Sequence, residues 1–260
     1  MKKILIAAAV FSAFAAQAQV TGFSTNTGIT YVGASTVNAG PHTAGKPGVG
    51  VDSAGNIIDL GGIAAFTGNG SQAVSGVTFS RHRLDGYQHV GSQGGTVLTN
   101  FNWFRVPSVA SAGVAREVYF GLATTPATNA HAAFYVGERN SYALPTSNTN
   151  YATVAQLAVP GSSSTDILTG NLRYDTAGTL KTATTTGGAA NLTSAATGAT
   201  LGINTTVNAS AGSFAGTSSY NSAVANGTAR GQFYGAGTTS AVAGVASGTG
   251  YVAAFGGIRN

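Results

Sequence analysis

The last third of the chain restricts the fold more than any other part. Three short apolar runs close it: Ala229-Arg230-Gly231-Gln232-Phe233-Tyr234-Gly235-Ala236-Gly237, then Ala241-Val242-Ala243-Gly244-Val245-Ala246-Ser247, then Tyr251-Val252-Ala253-Ala254-Phe255-Gly256-Gly257-Ile258-Arg259. Glycine-rich turns bound them, and large and tiny residues alternate within each. Alternation at period two marks a strand. Mixing bulky with minimal side chains is what the inward positions of a small closed barrel need to fill a narrow taper. Leu168-Thr169-Gly170-Asn171-Leu172-Arg173-Tyr174-Asp175 and runs at residues 180–186, 191–197, 200–207 and 213–218 bring the total to about eight short strands at barrel spacing. Closure suits this composition: only 7% of residues are charged, leaving few Lys or Glu to protect open sheet edges. An outer-membrane barrel would need longer strands, an apolar outer band and aromatic girdles. These strands are too short and too rich in small residues for that.

The start of the chain reads as a secretory signal. Met1-Lys2-Lys3 is a basic n-region, residues 4–14 are an apolar h-region, and Ala16-Gln17-Ala18 fits a cleavage site. Cleavage is expected after Ala18. The h-region is too short to span a bilayer. There is no cysteine, so no disulfide is expected in an oxidising compartment, and no lipid-acceptor residue either. The expectation is a released protein without a membrane anchor. A formal charge of +5 includes Lys2 and Lys3 and is otherwise scattered, which does not make a nucleic-acid footprint. An apolar fraction of 43%, with aromatics placed in alternating runs, argues for a folded chain rather than a disordered one.

A Pro/Gly/Ser-rich seam at residues 159–165 separates two textures. All four histidines, the only Trp and five of six prolines precede Pro160. The expected fold is all-β: a β-rich domain over residues 19–160, then a small eight-stranded antiparallel barrel over residues 165–260. In the first domain, residues 33–55 read as a long irregular loop and residues 57–66 as a strand. Asp85-Gly86 between alternating runs predicts a type I′ hairpin, which would set His82 opposite His89. Residues 117–122 and 131–137 form a second hairpin around the loop 123–130. No segment holds a helical period. The seven acidic residues offer no evident catalytic pair and no Gly-x-Ser-x-Gly elbow occurs, so the chain does not read as an enzyme.

Gly231-Gln232-Phe233-Tyr234-Gly235 followed by Val242-Ala243-Gly244-Val245 resembles the closing motif of the transferrin-binding-protein-B-like barrel. Val118-Tyr119-Phe120-Gly121 and Tyr135-Val136-Gly137 with Ala143-Leu144-Pro145 resemble the handle half that precedes such barrels. Without a lipobox cysteine, the chain resembles the soluble branch, the hemophilins. That resemblance implies a hemophore with a haem-binding handle or clamp domain over residues 19–160. It implies export from a Gram-negative bacterium, through the periplasm and a Slam-type outer-membrane translocator. It also implies haem (heme b) as cofactor and delivery to a TonB-dependent outer-membrane haem receptor, with haemoglobin a candidate partner. The other reading is a secreted interaction protein that binds a host iron or haem carrier without a cofactor of its own.

A haem held rather than turned over is most often ligated by imidazole. The chain has no Cys, and its single Met is Met1, so His and Tyr are the available donors. His42 lies in a Gly/Pro loop near Lys46, and His131 lies before the aromatic strand holding Phe134 and Tyr135. A cross-strand pair His82/His89 could not sandwich a porphyrin, and it lacks the third ligand a zinc site wants. The expected iron ligands are therefore His42 and His131. Tyr135, Tyr31, Tyr119 and Phe134 would wall the ring, and Lys46, Arg81 or Arg83 would meet the propionates. If Asp85-Gly86 is not a hairpin tip, His82 or His89 replaces one ligand.

Overall fold

The computed structural model describes residues 19–50, 55–64, 67–90, 96–139, 142–222 and 224–260. The signal segment read in residues 1–18 lies outside the described residues. The elements begin with β1 (Val20–Ser24), β2 (Tyr31–Ala34), β3 (Pro47–Gly50), β4 (Ile57–Asp59), α1 (Leu60–Ala64), β5 (Gly68–Val74), β6 (Val77–Val90) and β7 (Thr96–Arg105). They continue with β8 (Ala110–Ser111), β9 (Val114–Ala115), β10 (Val118–Thr125), β11 (Ala130–Glu138), β12 (Thr149–Ala158), β13 (Thr165–Asp175) and β14 (Thr179–Thr182). The last are β15 (Leu192–Thr193), β16 (Thr200–Asn208), β17 (Ser213–Tyr220), β18 (Gly227–Tyr234), β19 (Ala241–Gly248) and β20 (Tyr251–Arg259).

The protein is nearly all-β and contains a closed eight-stranded antiparallel barrel. The barrel order is β12-β20-β19-β18-β17-β16-β14-β13, closed by β12 on β13, while short β15 bridges β13 and β16. The large-and-tiny alternation has a concrete use inside it. Cross-strand register aligns Phe214, Gly231, Gly244 and Phe255 in one row. A Cβ on either glycine would meet a phenyl ring of Phe214 or Phe255. The two rings stack at 6.1 Å between centroids, in space the missing side chains leave. Phe233 packs edge-on against Tyr151, Tyr174 and Phe214 at the centre of the same core.

The barrel starts before the sequence seam. β12 pairs with both β13 and β20, so residues 159–165 are the turn of a barrel hairpin rather than a linker. A Pro/Gly/Ser cluster marks a turn equally well in either setting; only the pairing of β12 distinguishes them.

The second large sheet has six strands in the order β1-β11-β10-β7-β6-β5. One face packs on the barrel wall: Phe79, Phe104, Phe120, Ala133 and Tyr135 share a core with Val154, Ala243, Val245, Ala254 and Ile258. The other face, with Phe101, Trp103, Tyr119, Phe134 and Val136, is covered by Ile29, Val49, Leu60 and Ile63. That cover comprises the small sheet β2-β3-β4 and the single-turn α1. Successive strand residues point to opposite faces, so β1, β6, β7, β10 and β11 each serve both cores.

Three local expectations are corrected. Residues 57–66 are not one strand: β4 ends at Asp59 and α1 follows. The Asp59 carboxylate accepts the Gly61 amide at 2.8 Å, capping that turn. The loop predicted for residues 33–55 contains β3. Asp85-Gly86 is not a hairpin tip: β6 runs through it, with a register shift against β7 between Leu84 and Tyr87. Gly86 has φ +65°, the left-handed conformation that a bulge and a tight turn both demand. Its amide donates to Asn100 Oδ1 of the neighbouring strand at 2.7 Å, so β6 bulges opposite Asn100 and continues. The Glu117–Gly137 hairpin is present as β10 and β11, paired from Val118↔Gly137 to Thr125↔Ala130.

Candidate functional site

With β6 straightened, the histidines are redistributed. His82 pairs in register with Trp103, and His89 with Val97, so the predicted His82/His89 pair does not form. The His82 ring stacks on Trp103 at 5.4 Å and 25°. This places it on the face turned away from the barrel. Its Nδ1 lies 3.4 Å from Thr67 Oγ1. Burial, with Arg105 nearby, pushes its pKa below the usual imidazole value, so the ring is neutral at physiological pH. Neutral imidazole is the form that binds a metal.

His42 belongs to the cover over that same face. It sits in the loop between β2 and β3, against α1: its Nδ1 lies 3.2 Å from where a Cβ on Gly62 would stand. That nitrogen is buried and has no hydrogen-bond partner among the described residues. Trp103 Nε1 and Tyr119 Oη, on the sheet below, are also buried without partners among the described residues. Burial raises the Tyr119 pKa far above the phenol range, so it stays a neutral donor. Three unpartnered polar atoms bordering one core are unusual, because each costs about 1–3 kcal/mol unless something satisfies it.

His131 is placed elsewhere. It alternates with Ala133 and Tyr135, which face the barrel, and both its ring nitrogens are engaged. Nε2 lies 2.9 Å from the Ser162 carbonyl and Nδ1 2.9 Å from Thr124 Oγ1. A carbonyl only accepts, so Nε2–H donates to Ser162 and Nδ1 accepts the Thr124 hydroxyl. His131 thus pins the β10–β11 hairpin to the first barrel turn. The expected pairing of His42 with His131 on one iron is corrected: they lie on opposite sides of the six-stranded sheet. Tyr135 is on the barrel side too, with burial pushing its hydroxyl up to about 12.

The predicted propionate partners are likewise occupied or displaced. Arg81 Nε donates to Asn102 Oδ1 at 3.0 Å and Arg83 pairs with Asp85 at 2.8 Å. Both alternate with His82 and so point away from its face. Lys46 stays near His42 but bonds to Glu138 at 3.0 Å. Of the predicted ring-wall residues, Tyr119 and Phe134 belong to the covered face, and Tyr31 is exposed on β2.

These parts define a two-module β protein: a sheet whose outer face carries imidazoles, aromatics and unsatisfied polar atoms, docked on a closed barrel. Residues 15–132 match the family model described as the HphA N-terminal heme-binding domain. That span fits the hemophilin family, and the match supports haem binding. His42, His82, Trp103 and Tyr119 all lie in the matched span. The donor set at the outer face fits haem: imidazole nitrogens beside an aromatic floor, with a buried His42 Nδ1 in the cover that has no partner among the described residues.

No curated protein matches the chain. Among solved structures it is similar to transferrin binding protein B from Haemophilus parasuis Hp5. A double mutant of that protein aligns at 13% identity and TM-score 0.38, over 72% of this chain and 46% of that one. A single mutant aligns at 15% identity and TM-score 0.37, with the same coverage. The chain spans about half the length of these solved structures.

Proposed function

We propose that this protein is a secreted hemophore that captures haem through axial histidine ligation and passes it to an outer-membrane receptor. The observation that carries the reading is the buried, unpartnered Nδ1 of His42 in the layer above His82, Trp103 and Tyr119. His42 comes from the covering loop and is assigned as one ligand. His82 comes from the sheet beneath and is assigned as the second, in place of His131. The two belong to opposing layers, the arrangement a ring ligated on both sides would need. Haem supplies an iron with open axial positions and a broad apolar ring. The chain supplies imidazoles and an aromatic wall of Trp103, Tyr119 and Phe134. Export through a Slam-type translocator and delivery to a TonB-dependent receptor complete the proposal, and they rest on the family resemblance.

The test is a haemin titration of the mature protein. A sharp Soret band should grow in to saturation. His42→Ala and His82→Ala should each shift or weaken it. His131→Ala should lower thermal stability and leave the band in place. An unchanged Soret band in the His42→Ala/His82→Ala double variant would overturn the ligand assignment. A protein that ignores haemin yet is retained on immobilised haemoglobin would favour a cofactor-free carrier-binding role. Co-expression with and without the translocator, followed by assay of the culture medium, tests export.

A further inference from the structure

The loop that carries His42 is fastened to the six-stranded sheet at one point by charge. Lys46 Nζ lies 3.0 Å from Glu138 Oε1 at the end of β11 and 3.7 Å from Glu117 Oε2, just before β10. The two acids are coupled: Glu138 Oε2 accepts the Glu117 amide at 3.0 Å. Glu138 is 5% exposed at its side chain, against 38% for Lys46. A carboxylate this buried is strongly unfavourable without a cation. Arg105 stands 4.0 Å from Glu117 Oε1 and no ion pair joins it to Glu138 among the described residues, so Lys46 is the cation on Glu138.

Between His42 and Lys46 the chain is short and internally bonded. Lys46 N donates to Thr43 O at 3.4 Å, and Gly45 N to Ser35 O at 2.8 Å. Ser35 N returns a bond to Lys46 O at 2.7 Å. The Thr43 amide reaches Asp59 Oδ2 at 3.4 Å, and the other oxygen of that carboxylate caps α1, against which His42 packs. A displacement at Lys46 therefore reaches the His42 ring through four residues of turn. The apolar contribution at this site comes from β3 and α1, not from the loop, whose residues 38–44 are polar, small or exposed.

We propose that Lys46 is a positioning residue for the haem ligand: its ion pair with Glu138 latches the His42 loop onto the sheet and sets how long haem is held. This rests on the haem reading above. The latch acts through the loop and not by contact with haem, which separates it from a lysine that meets the propionates.

The measurement is the rate of haem loss to an excess of a haem-scavenging apoprotein, followed by absorbance. Lys46→Met should lose haem about tenfold faster, since a buried Glu138 is left uncompensated and the loop loses its tie. The Soret position should not move, because His42 still ligates when the loop is closed. Glu138→Gln should give a similar acceleration, the Lys46→Met/Glu138→Gln pair should not add, and Lys46→Arg should restore the slow rate. Haemin dimethyl ester, which carries no propionate charge, should show the same acceleration in Lys46→Met. An effect seen with haemin and absent with the ester would overturn the latch in favour of direct propionate contact. Wild-type rates in Lys46→Met or Glu138→Gln would overturn it while leaving haem binding intact. No haemin binding by the wild type would remove both. Circular dichroism melts separate a local opening, with the main transition in place, from a variant that fails to fold.

Discussion

The barrel interior and the outer face of the six-stranded sheet are both aromatic, yet they treat their polar atoms differently. In the barrel, Tyr251 Oη meets Ser218 Oγ at 2.7 Å and Tyr151 Oη meets Ser240 Oγ at 3.4 Å. Tyr234, on the wall, donates to Thr21 O at 3.4 Å and so joins barrel to sheet. At the outer sheet face, Trp103 Nε1, Tyr119 Oη and His42 Nδ1 of the cover have no partner among the described residues. A scaffold can satisfy every buried polar group, and its stability then reports packing alone. A face that holds a ligand keeps groups whose partner comes from outside. The contrast marks the outer face as the candidate site, and five variants bear on it.

The largest effect belongs to the barrel. Phe233→Ala removes the ring that three aromatics surround and should destabilise by about 3–5 kcal/mol, read from urea unfolding. A loss under about 1 kcal/mol would mean the barrel core is not the rigid half of the comparison. Next is Gln156, fully buried on the outward side of β12 with neither amide atom bonded among the described residues. Gln156→Leu should stabilise by about 1–3 kcal/mol. Destabilisation instead would place an ordered water or a functional contact at the sheet–barrel junction.

The tyrosines give the direct contrast. Tyr251→Phe loses a hydroxyl bonded to Ser218 and should cost about 1 kcal/mol. Tyr119→Phe removes an unsatisfied hydroxyl and should be neutral or slightly stabilising in the haem-free protein. Equal losses in the two variants would erase the difference between the regions.

The smallest effect is electrostatic. Burial raises the Glu117 pKa above its ordinary 4.5, with Lys46 opposing. Between the ordinary and the raised value the folded chain keeps a proton that the unfolded chain has released. Stability attributable to this group therefore falls as pH rises through that window and is level above it. Glu117→Gln should flatten that part of the melting profile and match the wild type below pH 4.5. An unaltered profile would remove Glu117 from the account.

Much of the architecture was legible because it rests on local signals. Period-two alternation gave the strands of the barrel, and the glycines of β18 and β19 marked where two phenyl rings need room. The β10–β11 hairpin and its turn were visible for the same reason. The misread positions share a cause. Asp85-Gly86 asks for a left-handed residue, and the sequence does not say whether the chain reverses there or bulges onward; Asn100 on the adjacent strand decides it. The candidate site inherited that error. Whether His82 or His131 shares a core with His42 depends on residue parity carried through a bulge and across strands far apart in sequence. The α1 turn was hidden for a related reason: one turn capped by Asp59 is too short to show a helical period.

By itself, then, the sequence determined a charge-poor all-β chain with a closed C-terminal barrel, four histidines in its first part and no thiol. Those properties follow from composition and from patterns two residues long. Only the tertiary structure decided that β12 belongs to the barrel, that His131 is a hydrogen-bonded strut, and that His42 and His82 are the histidines bordering one core. Each of these depends on register and on which face of a sheet is covered, and both are set by contacts between segments distant in the chain.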